Sequence, residues 1–459
     1  MIQDDAMTQT ERKAAFSLAT IYMLRMLGLF MILPVFAIYA ENLDGYTPML
    51  VGLAVGIYGL TQAIFQMPFG MASDRIGRKP IIIIGLIIFA IGSVVAAMAD
   101  SMWGVVLGRA IQGAGAIAAT VMALAADLTR EEHRMKAMAI IGMSIGLSFS
   151  ASLVLGPLVS ELIGVSGIFW LTGLLALLGI VVVKYIVPNP VVSRFHRDAE
   201  PVPEQFRSIL ADRQLLRLDV GIFALHMILT ATFVVLPLSM RDSAGLDVAS
   251  HWLVYLGVMV LAMGLMVPFV IRAEKKRRMK QVFIGAILVI ALSEGALAIT
   301  YESLTGTIIS LLLFFIAFNV LEATLPSLIA KTAPPDKKGT AMGIYSSSQF
   351  FGAFCGGVIG GWLFGVGGVS AVFLFCLLVA LAWFLVAITM KNPRYLSTYM
   401  LNVGEIAENE AKSLTIKLTQ IQGVAEAVVI AEDGIAYLKV DSHALDREKL
   451  QAFSVAEVS

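Results

Sequence analysis

The sequence predicts an all-α membrane protein, with twelve transmembrane helices in two pseudo-symmetric six-helix bundles followed by a small α+β domain. Three observations carry this. The chain of 459 residues is 58% hydrophobic and 14% charged, with a mean hydropathy of +0.85, whereas a soluble domain holds about 25% charged residues. The apolar residues gather into runs near the ~20 residues that cross ~30 Å of hydrocarbon. A charged turn also recurs: Pro68-Phe69, Asp74-Arg75 and Arg78 are echoed by Pro268-Phe269, Glu274-Lys275 and Arg278.

Taken in order, the passes fall at about 15–40, 49–72, 81–99, 103–127, 135–162, 166–187, 215–240, 251–272, 281–301, 303–330, 339–365 and 368–390. Arg12 and Lys13 precede the first run, which continues well past the short core of a signal peptide and reads as a span. Residues 188–214, with Pro188, Pro190, Pro201 and Pro203, form a linker that divides the passes six and six, giving bundles over 1–187 and 215–392. A second echo supports duplication: Ala137-Met138 matches Ala341-Met342, and Gly156 falls opposite Gly360.

The loops separate by charge. One side collects Arg12 and Lys13; Arg75, Arg78 and Lys79; Arg130, Arg134 and Lys136; Arg194, Arg197, Arg207 and Arg213; Arg272, Lys275 to Arg278 and Lys280; Lys331, Lys337 and Lys338; Lys391 and Arg394. The other offers Glu41, Asp44, Asp100, Glu161, Asp242, Asp247 and Glu302, with Arg241 as its one basic residue. Basic loops stay in the cytoplasm. Both termini are therefore expected there, in a bacterial inner membrane.

After Pro393 the composition becomes that of a soluble domain, 393–459. It reads as a strand at 397–403, a helix at 405–421, strands at 425–431 and 435–440, and a helix at 444–454. Gly423 ends the first helix and Glu432-Asp433-Gly434 turns the hairpin. This β-α-β-β-α order resembles the split ferredoxin-like unit of metal carriers. Met400 stands alone and His443 has no partner in place of a C-x-x-C loop, so metal carriage is not expected. Docking on the cytoplasmic mouth or self-association is expected instead, with a passive tether as the alternative.

Composition also excludes. A formal charge of zero argues against a nucleic-acid partner. Cys355 and Cys376 are isolated, and the five histidines show no ligand spacing. No phosphate-binding G-x-x-x-x-G-K-[ST] loop and no nucleophile–base constellation is present, so neither ATP hydrolysis nor an enzyme is expected. No cofactor is called for.

Two motifs carry a family likeness. The run Gly70-Met-Ala-Ser-Asp74-Arg75-Ile-Gly77-Arg78-Lys79 resembles the G-x-x-x-D-R-x-G-R signature of the major facilitator superfamily. The run Gly108-Arg109-Ala-Ile-Gln112-Gly113-Ala-Gly115 is similar to its fourth-span R-x-x-Q-G-x-G. The resemblance covers 15–390 and implies two bundles rocking about a central cavity, in proton-driven efflux. The antiporter signature G-P-x-x-G-G is degraded: Gly156-Pro157 stands, Ser160 and Glu161 replace the glycines, and Ser152 replaces an earlier one. An importing proton symporter therefore stays as an alternative. So does a non-transporting sensor that signals through 393–459.

Candidate residues follow. Gly70, Asp74, Arg75, Gly77, Arg78 and Asp127 form a conformational latch, in which Asp74 pairs with Arg78 or faces the positive start of span 11 near Gly339-Thr340. Arg25 and Arg109 lie inside spans 1 and 4, where an arginine costs at least ~2.5 kcal/mol. Each needs a carbonyl, a wet cavity or a coupling role, with Gln112 beside Arg109. Glu322, Asn319 three residues before it, His226 and Glu294 are the candidates for proton coupling or the substrate cavity. Burial disfavours the charged forms of such groups. With Gln62, Gln66, Tyr58, Gln349 and Ser346 to Ser348 as further polar positions, and a span 1 rich in Met and Phe, a small apolar or amphipathic cargo is expected. Protons and the lipid bilayer are the other partners.

Overall fold

The computed structural model describes residues 6–190, 200, 202–393, 396–404, 406–441 and 444–454. Arg194, Arg197, Pro201, Arg394 and His443 lie outside the described residues. Among the described residues, ten helices are long and apolar enough to cross a membrane. Two of them, Glu131–Val181 and Lys338–Ile388, are 51 residues each. At ~1.5 Å per residue such a helix measures about 76 Å, more than twice the ~30 Å hydrocarbon layer. Each breaks at a glycine in the left-handed region, Gly164 (φ +71°) and Gly368 (φ +72°). Each long helix is thus two passes, and the total is twelve. Gly164 falls in the gap that the sequence predicts between spans 5 and 6, and Gly368 is the residue at which the sequence starts span 12.

The remaining spans are Gln9–Phe30, Pro48–Ile76, Arg78–Ala97, Met102–Asp127, Arg213–Asp242, His251–Lys275, Met279–Thr300 and Leu304–Thr332. Thr8 and Glu11 start the first with a capping box. Thr47 caps the second, with Pro48 at its first turn. Two predicted spans are interrupted. Span 1 breaks between Phe30 and Phe36, where Pro34 supplies no amide proton. Span 4 breaks between Ala114 and Ala118, a discontinuity no proline announces.

The outer surface of the bundles is apolar, with Leu162 82% and Ile299 83% exposed, which suits lipid and not water. The two halves meet along spans 2 and 11. A methyl group on Gly52 would collide with the carbonyl of Gly357, and one on Gly357 with the carbonyl of Gly52. Small residues there bring the backbones together. Gly52→Leu is expected to force the spans apart and lower stability by roughly 1–3 kcal/mol. Thermal unfolding in detergent reads this, and an unchanged midpoint would contradict the close crossing.

The carboxyl-terminal domain contains β1 (Ser397–Asn402), α1 (Glu408–Thr419), β2 (Val424–Ile430), β3 (Ile435–Val440) and α2 (Arg447–Gln451). The sheet order is β1-β3-β2, with both pairings antiparallel. The hairpin turns at Gly434 (φ +65°). Leu401, Leu418, Leu438 and Leu450 form its core. One central strand between two outer strands joined through a helix is the ferredoxin-like arrangement.

This domain docks on the basic ends of both bundles. Lys439 of β3 is 2% exposed and donates to the carbonyls of Ala330 (2.9 Å) and Lys331 (2.8 Å). Those carbonyls end span 10, where the helix leaves acceptors unfilled and carries partial negative charge. Arg134, at the start of span 5, approaches the Met400 sulfur at 3.7 Å. Arg277 lies 3.7 Å from Asp441. Burial, and then the nearby Lys338, bring the Lys439 amine down to about 8 from 10.5, against a smaller opposing pull from Glu426. The docked form therefore holds fewer protons than the free form between about pH 8 and 10.5, and docking should tighten as pH rises through that window. The slope is at most about 1.4 kcal/mol per pH unit. Protease cleavage of the 391–396 tether measured against pH checks this, and faster cleavage with rising pH would contradict it.

Candidate functional site

Three buried polar clusters and two interbundle ties occupy the membrane region. The first cluster centres on Arg78, which is 3% exposed. Gly77 (φ +105°) ends span 2 and starts span 3, and its positive φ turns the chain so that Arg78 points back across Ser73 and Asp74. Arg78 pairs with Asp74, with Asp127 at 3.2 Å and with Glu200 at 2.8 Å, and donates to Ser73 Oγ at 2.8 Å. One guanidinium thus gathers three carboxylates from span 2, span 4 and the linker. Asp74 makes no polar contact with Gly339 or Thr340. That helix start is instead occupied by the linker: Val202 N donates to Thr340 Oγ1 at 2.9 Å, and Thr340 donates to Gln205 at 2.9 Å. Arg75 stays on the surface outside the cluster, and Gly70 packs against Ala119.

The second cluster lies inside the amino-terminal bundle. Arg25, 1% exposed, donates to Gln62 (2.8 Å) and to the carbonyl of Gly115 (2.9 Å). That carbonyl is freed by the break in span 4, so the arginine satisfies the interrupted helix. Its Nε and Nη1 have no hydrogen-bond partner among the described residues, and the guanidinium lies 5.4 Å from the Phe89 ring and 5.9 Å from Tyr58. Arg109 takes another position on Tyr58 at 5.1 Å. It donates to Ala54 O (3.3 Å) and Gln112 (3.0 Å), and Gln112 donates to Ser93 (2.8 Å). Two cations share one network, and among the described residues no carboxylate touches either.

The third cluster mirrors the second with acids, in the carboxyl-terminal bundle. Glu322 of span 10 lies 3.6 Å from His226 Nε2 of span 7, and Gln349 of span 11 donates its amide to that nitrogen at 2.8 Å. The Glu322 side chain keeps 32% of its surface open although it sits mid-span, so it borders an internal space. Asn319 and Glu322 each hold a buried polar atom with no partner, on one helix face as their spacing predicts. Beside them an aromatic group joins the bundles: Phe149 of span 5 stacks on Phe318 of span 10 at 5.6 Å and meets Phe30 of span 1 at 5.0 Å. Phe318 also lies 6.1 Å from the His226 ring.

Glu294 stands apart from this cluster. It is fully buried, accepts from Thr232 at 3.0 Å, and leaves Oε2 unpaired. At the acidic face Arg241 of span 7 forks onto Glu41 (2.6 and 2.9 Å), tying the two bundles together. At the basic face Glu11 holds Arg130 at 3.0 Å, joining the starts of spans 1 and 5. Ser160 and Glu161 line a separate cavity of about 400 Å³ near the acidic face, with Tyr39, Pro157 and Val248.

Sequence reasoning missed Glu200, the Glu41–Arg241 tie and the acid Asp219. Glu200 sits in a linker with no periodicity, and in the sequence Arg241 stands out only as the one basic residue of the acidic loops. For Asp219 a signal existed: a carboxylate six residues inside an otherwise apolar span.

Twelve helices in two like halves, with charges buried inside them, have the architecture of a polytopic solute transporter. The sequence profile of the Major Facilitator Superfamily matches residues 18–354 and 278–399, and the chain belongs to that family. It is 47% identical to the inner membrane transport protein YajR of Escherichia coli (strain K12), over 98% of this chain and 99% of that protein. It is 25% identical to the multidrug resistance protein MdtH of Proteus mirabilis, over 78% of this chain and 89% of that one. Among solved structures it matches a bacterial homolog to the human lysosomal transporter Spinster, inward-facing and occupied. That match has a TM-score of 0.69 at 15% identity, over 84% of this chain and 98% of that one.

Proposed function

We propose that this transporter exports a small amphipathic or hydrophobic compound in exchange for protons, by alternating access in the inner membrane. The observation that carries the reading is the Glu322–His226 pair, a carboxyl and an imidazole 3.6 Å apart in mid-membrane beside an aromatic group that both bundles share. An intramembrane acid without a cationic anchor is costly when charged, so its protonation shifts the balance between two arrangements of the bundles. The membrane potential contributes about 2.3 kcal/mol per charge per 100 mV to that shift. Arg25 and Arg109 hold the amino-terminal bundle rigid through Tyr58, Gln62 and Gln112. The Arg78 cluster acts as the latch at the basic face, which the positive-inside rule assigns to the cytoplasm together with both termini. Residues 393–459 form a separate cytoplasmic domain that restrains both bundles.

Reconstitution tests this. Vesicles carrying the protein and an internal pH dye are given a proton gradient and then a panel of lipophilic cations, anions and neutral amphiphiles. Compound-dependent collapse of the gradient is expected. Uptake driven in the same direction as the proton supports symport instead. Flux that continues after deletion of 393–459 makes that domain an accessory, whereas intact compound binding with no flux supports a sensor.

A further inference from the structure

The positions where this chain departs from the antiporter signature line a cavity that the reading above leaves without a role. Gly156 presses span 5 onto the break in span 1, where a methyl group on it would meet the Met31 carbonyl at 2.3 Å and Pro34 at 2.9 Å. One turn further, Ser160 and Glu161, which stand in place of the two signature glycines, border an opening of about 400 Å³. Its walls also include Val35, Ile38 and Tyr39 from the end of span 1, and Val248 from the turn before span 8. The cavity therefore lies between the two bundles at the acidic face. Sites for small molecules have volumes of about 300–1,000 Å³, with apolar walls and few polar groups.

The polar groups decide what fits. Among the described residues Glu161 is the one charged group on the lining, and no cation pairs with it. Arg241, the basic residue of this face, is already forked onto Glu41 and bonded to Asp242. Ser166, also on the lining, gives its proton to the Ala97 carbonyl at 2.6 Å. Tyr39 adds an aromatic ring, and a ring together with a carboxylate holds an organic cation. An anion would meet Glu161 with no positive charge to offset it. A wholly apolar guest would strip water from the carboxylate and give nothing back.

We propose that this cavity binds an organic ammonium ion with an apolar body, the ammonium at Glu161 and the body against Val35, Ile38 and Val248. Its role as the last station of an exported cargo rests on the reading above: an amphiphile leaving the seam between the bundles is held at the acidic face before release. Two sources share this chemistry, a free amine and the headgroup of phosphatidylethanolamine.

The test measures binding of dansylcadaverine, a fluorescent primary amine, to the full-length protein in phosphatidylglycerol nanodiscs, with protein-free discs as background. An alkylamine is charged at neutral pH, and its N-acetyl derivative is not. The wild type should bind the amine more tightly. Glu161→Gln, at an exposed position, is expected to weaken the amine about fivefold, the upper value for an ion pair open to solvent, and to leave the N-acetyl derivative unchanged. Ser160→Phe, which fills the cavity, should weaken both compounds. Equal wild-type affinity for the two compounds, or amine binding unchanged in both variants, overturns the site. Displacement of the amine by added phosphatidylethanolamine makes the lipid headgroup the source, and no displacement makes it free cargo. Amine binding that follows this pattern, without collapse of the proton gradient by the amine in vesicles, removes export and keeps the site.

Discussion

Arg78→Ala is expected to be the most damaging single substitution at the basic face. It leaves Asp74, Asp127 and Glu200 facing one another with their common counter-charge gone. Asp127 and Glu200 are buried there, with side chains 0% and 5% exposed. Removing one partner of a buried ion pair costs about 3–5 kcal/mol, because the remaining charge stays desolvated. Three clustered acids place this case at the upper end. Denaturation in detergent reads the loss, and flux in vesicles should fall with it. Arg75→Ala, only three residues away and exposed, should change stability by no more than about 0.5 kcal/mol. If the two variants behave alike, Arg78 is a topological charge and not the centre of a latch.

Glu322→Gln separates coupling from folding. The Glu322 carboxylate makes no hydrogen bond to any described residue, and the His226 imidazole lies 3.6 Å away. The amide fits the same space, so the unfolding midpoint should hardly move. Proton movement tied to cargo should be lost by about 100-fold or more, since a positioned acid–base group is worth that much. Cargo binding should persist. Retained proton-coupled flux would transfer the role to another acid, and Glu294 is then the first to test, because it too has an unpaired oxygen.

Much of this was legible in the sequence because lipid imposes strict rules. A span must be apolar for ~20 residues, and basic loops take one side, so twelve passes and their alternation can be counted directly. The kinks at Gly164 and Gly368 fall at or beside the predicted span boundaries because each separates two full-length runs. Asp74, Arg78 and Asp127 could be grouped from the loop motif and from Asp127 ending span 4. What stayed hidden depends on tertiary contact. The break after Ala114 carries no proline, and it is satisfied by Arg25 from a different helix. Glu200 reaches Arg78 across 122 residues of chain. The docking of Lys439 on the end of span 10 needs the folded domain, since only its position on β3 aims the amine at those carbonyls.

The central claim is that the bundles rock against each other, with the acidic and basic faces opening in turn. The most direct measurement places spin-label pairs across the two halves in lipid vesicles, one between Met49 and Val366 at the acidic face and one between Met135 and Lys275 at the basic face. All four residues are exposed. The expected result is a reciprocal change: when pH or cargo lengthens one distance, the other shortens. Distances that stay fixed, or that grow and shrink together, would contradict the rocking motion.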